Sequence, residues 1–286
     1  MLSTASVVAA VLAVAAPVAA QSGLSKPAIK PSFDLDGTME TQLRNTLPTH
    51  SFTVTTWAPG FVPQACKTEA TSNSVSAADF AVLNVTYSDC ADPWVVCRHK
   101  DSPVSQTDSL TYFGQIPVGM RQYVRNLIAM PTSSNVAYTV GAYTVVFGDW
   151  FHIGTMAHEF THILDTVALT QYVTTPGSPF SNTARWQSQE NKDTALPTGY
   201  AASSWQEDFA EAGRVALTDM IVSGGLASIN PNSSQIAVQV STCTSPRAPF
   251  CHFRRITGAF ELLVLRHAPG SYTNIHSRTV LTPRHG

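Results

Sequence analysis

The chain has 286 residues, 44% of them hydrophobic and only 13% charged, with a formal net charge of -2. That length supplies a full packed core. The even charge balance excludes the basic surface with which proteins hold nucleic acid.

Residues 7–20 are almost unbroken Ala, Val and Leu, and Pro17-Val18-Ala19-Ala20 ends in small residues. Residues 1–20 therefore read as a secretory signal peptide cleaved after Ala20, which makes the mature protein secreted and extracellular. The run is too short to anchor comfortably in a bilayer, and no later segment spans one, so no membrane association is expected after signal removal. Residues 21–51 carry Pro and Ser with weak periodicity and read as a leader, a pro-segment or a surface wrap. Residues 52–286 read as one domain.

Residues 52–115 hold short apolar runs broken by Pro, Asn, Asp and Ser, which suit short strands and irregular structure. Val118, Met120, Tyr123, Val124, Leu127 and Ile128 stand at helical spacing, so residues 116–130 are expected as a helix ended by Pro131. Residues 137–147 are rich in Val, Tyr and Thr and read as one long strand or a hairpin around Gly141. Its edge is either open to an extended peptide or buried inside the sheet. Gly148 and Gly154 bracket a loop, and residues 155–170 form a helix.

Residues 176–198 are polar and turn-rich. Ser203 or Ser204 caps a second helix through Trp205, Phe209, Ala212, Val215 and Met220, which stops at Gly224-Gly225. A last helix is expected at about 251–267. The pattern is α+β with a helical second half and no internal repeat.

Export makes the five cysteines interpretable as disulfide partners. Cys90 with Cys97 and Cys243 with Cys251 each flank a short loop and are candidate pairs; the alternative joins Cys66 to Cys90 or Cys97. Asn84-Val85-Thr86 and Asn232-Ser233-Ser234 are candidate glycosylation sequons.

The chemistry concentrates in His158-Glu159-Phe160-Thr161-His162. Residues four apart on a helix share a face, so the two imidazoles can grip one zinc ion, with Glu159 placed to act on metal-bound water. A third ligand is offered by Glu207 or Glu211, again four apart on a helix. One of these carboxylates can bind the metal while the other accepts the free ring N–H of a ligand His. No motif attaches to the remaining histidines. Metzincins need a Gly and a third His where this chain has Asp165 and Ala168, so that type fails.

His158-Glu159-Phe160 with Asp165 three residues past His162, followed by Glu207-Asp208-Phe209-Ala210-Glu211-Ala212-Gly213-Arg214, resembles the gluzincin metallopeptidases, most closely the catalytic domain of the anthrax lethal factor type. The resemblance covers about 155–215. It departs at Asp208, where the family has an aromatic residue, and at Gly213, a helix-interior glycine that costs about 1 kcal/mol relative to Ala. It implies a zincin-like domain with a small mixed sheet and an active-site helix. It also implies one zinc ion held by His158, His162 and Glu207, with Glu211 and Asp165 in support behind them. Glu159 would be the general base, and Tyr200, seven residues before Glu207, would donate to an oxyanion. The expected function is then a secreted zinc metalloendopeptidase acting on a peptide or protein substrate. The alternative is a secreted surface or structural protein with a non-catalytic zinc site. Oligomeric state is not encoded in these motifs.

Overall fold

The computed structural model describes residues 24–131 and 136–244. The signal peptide, Cys251 and the helix expected at 251–267 lie outside the described residues. Alternating β-branched and aromatic residues build six strands. They are β1 (Phe52–Thr56), β2 (Phe80–Tyr87), β3 (Trp94–His99), β4 (Asn126–Met130), β5 (Ala137–Val140) and β6 (Tyr143–Phe147), in the sheet order β1-β2-β3-β4-β6-β5. β1, β2 and β3 pair antiparallel, β3–β4 and β4–β6 pair parallel, and β5 folds back antiparallel on β6. Gly141, at φ +56°, supplies the turn of that last hairpin. The chain is thus α+β with a mixed sheet.

The helices among the described residues are α1 (Glu40–Thr46), α2 (Gln64–Ser72), α3 (Gln106–Gln115), α4 (Val118–Arg121), α5 (Ile153–Ile163), α6 (Ala184–Glu190), α7 (Trp205–Ile221) and α8 (Ala237–Thr244). None is long and apolar enough to cross a membrane. Side-chain alternation gives the sheet two cores. Leu83, Val85, Trp94, Val96, Leu127 and Val146 face the larger one, with Phe113, Phe160, Phe209 and Val215 from the helices. Val82, Cys97, Ile128, Met130 and Val145 face the smaller one, which α2 covers with Cys66 and Ala70.

Residues 116–130 do not form the single expected helix. They divide into the one-turn α4 and the strand β4, which pairs on both sides with β3 and β6. Leu127, Ile128, Ala129 and Met130 are all buried. A strand covered on both faces reads as a continuous apolar run, which spacing alone does not separate from a helix.

The Cys90–Cys97 closure is not formed; Cys97 bonds Cys66 instead, and Cys90 forms no disulfide among the described residues. The reason is the pleat. Cys97 points into the smaller core with Cys66, whereas Cys90 packs against the larger one. Cys243 is buried and forms no disulfide among the described residues. Asn84 lies within β2, its side-chain oxygen accepting from Trp57 Nε1 (2.9 Å). Asn232 is exposed and donates its amide to the Lys30 carbonyl (2.6 Å).

The described part of segment 21–51 threads into the fold. It forms a bridge from Ala28 to Leu196 and buries Ile29, Met39, Leu43 and Leu47 in the larger core. Leu35, Met39, Leu43 and Leu47 recur every four residues, a helical stripe that the surrounding prolines and serines obscure.

Candidate metal centre

The site is built by two packed helices. α5 begins at Ile153, runs past His158 and His162, and is prolonged by a wider turn, Leu164–Ala168. α7 begins after Ser204, whose hydroxyl accepts from Glu207 N (3.1 Å), as the cap reading expects. The helices approach closely because α7 has Gly213 at the crossing: a Cβ there would stand 2.3 Å from Thr161 Oγ1 of α5. That approach brings Glu207 of one helix over the imidazole pair of the other.

His158 Nε2, His162 Nε2 and Glu207 Oε2 form a compact triangle. The ring nitrogens are 3.2 Å apart, and the carboxylate oxygen lies 3.2 Å from His158 and 3.4 Å from His162. Zinc with nitrogen and oxygen ligands at about 2.0–2.1 Å places tetrahedral ligand pairs about 3.3–3.4 Å apart. The donor set therefore fits zinc in identity and in spacing. Among the described residues it is also the one group of His, Cys, Asp and Glu whose ligand atoms converge in this way.

Glu211, 3% exposed, sets its Oε1 2.7 Å from His158 Nδ1. This contact turns the opposite nitrogen, Nε2, toward the triangle and fixes the tautomer a metal requires. Burial pulls the His158 imidazole down, but the carboxylates of Glu207 and Glu211 on its two nitrogens outweigh it and raise the ring to about 9. Burial works upward on Glu207, yet the two facing imidazoles hold it down to about 2. Without metal, the triangle is thus held by a proton on His158 facing an ionised Glu207.

Glu159, next in sequence, has its Oε2 accepting from Thr139 Oγ1 of β5 (2.9 Å). Its side chain and that of His158 border a cleft of about 550 Å³ that Phe33, Trp150, Tyr200 and Arg214 also line. Tyr200 stands at the rim, 57% exposed, its ring 5.9 Å from that of His158. Burial and then the nearby Glu207 carboxylate raise its phenol above the ordinary range. Asp165 is fully buried and accepts from Ser181 N (2.7 Å) and Ser181 Oγ (2.8 Å), so it anchors the Phe180–Asn182 turn beneath the site. Burial lifts it to about 6 against those hydrogen bonds.

The structure therefore brings His158, His162, Glu207 and Glu211 together, with Glu159 and Tyr200 beside them. It adds residues that spacing does not single out. Thr139 holds Glu159, and Glu40 caps α5 from 113 residues upstream through Ile153 N (2.9 Å) and Gly154 N (2.9 Å). For Glu40 the available signal is the Leu35-Met39-Leu43-Leu47 stripe, which places a helix there without naming its target.

The comparisons with known proteins correct the functional expectation. The family model for conidiation-specific protein Con-13 matches residues 34–245. Conidiation-specific protein 13 of Neurospora crassa is 30% identical over 182 residues, 63% of this chain and 52% of the relative. The chain thus spans about half the length of that curated relative. No solved structure matches. Both matches carry a conidiation protein's name and neither carries a peptidase's. The gluzincin metallopeptidase assignment is overturned, and with it the expected peptide-bond hydrolysis. A motif of local spacing over about a fifth of the chain gives way to a match that includes sheet, helices and site, and the chain belongs to the conidiation-specific protein Con-13 family.

Proposed function

We propose that this protein is a secreted zinc-binding member of the Con-13 family, holding one zinc ion through His158, His162 and Glu207. The observation that carries this reading is the triangle of two ring nitrogens and one carboxylate oxygen, 3.2–3.4 Å on each side, backed by Glu211 on His158. Such a donor set, bound to zinc, joins α5 to α7 and stabilises the crossing at Gly213. Three protein donors leave a fourth position for water or for a donor group of a bound molecule. The scaffold is read as zincin-like, put to metal retention. Export rests on the apolar run before Ala20.

The partner is read as a peptide or protein segment that is bound rather than cut. β5 is an edge strand beside the site, and Ala137, Tyr138 and Thr139 line the groove with His158, His162 and Glu207. An open edge of this kind accepts an extended chain by backbone pairing. The name of the Neurospora relative places that protein in conidiation, and we assign this chain to the same setting.

Elemental analysis of protein purified without added metal tests the reading. The expected result is about one zinc per chain, with His162→Ala and Glu207→Ala folded but nearly zinc-free. A wild-type protein that stays metal-free after dialysis against zinc rejects it.

A further inference from the structure

We propose that residues 34–46 form an intramolecular brace for the metal site, in which Glu40 is a positioning residue that tunes zinc affinity without touching the ion. The inference rests on the zinc reading above and extends it to how the site is regulated.

The N-terminus of α5 has no cap of its own. His152, at the N-cap position, offers no side-chain hydrogen bond to the first turn. Helix N-termini leave their leading N–H groups unpaired and carry a partial positive charge. Here the missing partner comes from α1. The two oxygens of Glu40 each accept one N–H, from Ile153 and from Gly154, both at 2.9 Å, and the carboxylate is 4% exposed. Glu40 is itself aimed by Arg44 Nε (2.6 Å), whose guanidinium lies 4.2 Å over the Tyr112 ring.

Four residues before Glu40, Asp36 reaches the other ligand helix. Its Oδ1 accepts from Arg214 Nη2 on α7 (2.7 Å). Arg214 passes beside Gly154, where a Cβ would stand 3.0 Å from its Nε, so the two contacts meet at the start of α5. One short segment therefore grips, by two carboxylates, the helix that carries both imidazoles and the helix that carries Glu207. Zinc would join the same two helices. Of the two grips, Glu40 dominates: it is buried and bidentate, whereas Asp36 is 57% exposed and screened by solvent. Two restraints on one pair of helices are thermodynamically coupled, and the coupling runs both ways.

Zinc affinity of the full-length protein, measured by competition with a chromogenic chelator, tests this in wild type and Glu40→Gln. The variant is expected to keep one zinc per chain but to bind it roughly fivefold or more weakly. Its cobalt-substituted form is expected to show a shifted absorption band, reporting an altered ligand arrangement. A folded Glu40→Gln with wild-type affinity and an unchanged cobalt spectrum overturns the brace, even when its unfolding temperature falls. Hydrogen exchange of the wild type gives the reciprocal measurement and does not depend on the variant folding. Zinc is expected to slow exchange across residues 34–46; protection confined to α5 and α7 overturns the proposal. A wild type that binds no zinc in either experiment removes the zinc reading, and the brace with it.

Discussion

His158 occupies the position at which protons and the proposed zinc would compete. One nitrogen faces Glu211 and the other faces Glu207, and without metal the ring holds its proton up to about 9. A ligand imidazole must be neutral, so zinc binding expels that proton and affinity rises with pH. The linkage has a definite sign. The folded pKa of His158 lies above the ordinary 6.5, so its stabilisation is complete below pH 6.5 and is lost between 6.5 and 9. Glu207 is depressed from 4.5 to about 2, so its contribution is present above pH 4.5 and fades as pH falls toward 2. The metal-free protein should thus lose thermal stability from pH 6.5 to 9 while the zinc-loaded protein does not. Scanning calorimetry at pH 6 and pH 9, with and without zinc, checks this; parallel decline of the two forms would contradict the assignment of the proton to His158.

Between α5 and α7 the deciding residue is Gly213. Propensity alone makes Gly213→Ala stabilising by about 1 kcal/mol, as for any exposed helix-interior glycine. The crossing reverses the sign, since the added methyl would meet the Thr161 side chain at 2.3 Å and the buried interface has no slack. Gly213→Ala is expected to destabilise by about 1–3 kcal/mol and to weaken zinc binding, read by urea unfolding and by metal competition. A gain in stability would show that the helices are not held together there.

This contrast marks what the sequence reveals at this scale. The pentad helix, the Ser204 cap and the stop at Gly224-Gly225 follow from local chemistry and stand in the structure. Spacing also selects His158, His162, Glu207 and Glu211, which the fold brings together. The exchange of a helix for β4 and of Cys90 for Cys66 depends on which sheet face each residue meets, and periodicity does not encode that for a fully buried strand. The reach of Glu40 across 113 residues is a tertiary fact without a local signature. The peptidase assignment failed for a different reason: a ligand motif identifies donors, whereas function belongs to the site as a whole.

Across the described residues, the disulfide and the candidate metal triangle sit on opposite sides of one sheet. The Cys66–Cys97 bond ties α2 to β3 through the smaller core, closing a separation of 31 residues. Such a loop contributes about 3–4 kcal/mol in the chain-entropy account. The candidate metal triangle lies on the helices of the larger core, which also contribute Phe160 and Phe209. Glu69 extends the α2 side toward the site by accepting from the hydroxyls of both Tyr138 and Tyr143, so the β5–β6 hairpin is anchored from behind. A reductant and a chelator therefore pull on separate packing layers, and the losses they cause in unfolding free energy should sum within about 0.5 kcal/mol in a paired denaturation experiment. A large excess over that sum would mean that the sheet transmits strain from one layer to the other. Where the sum holds, either fastening could be released alone, and the fold would still be held by the other.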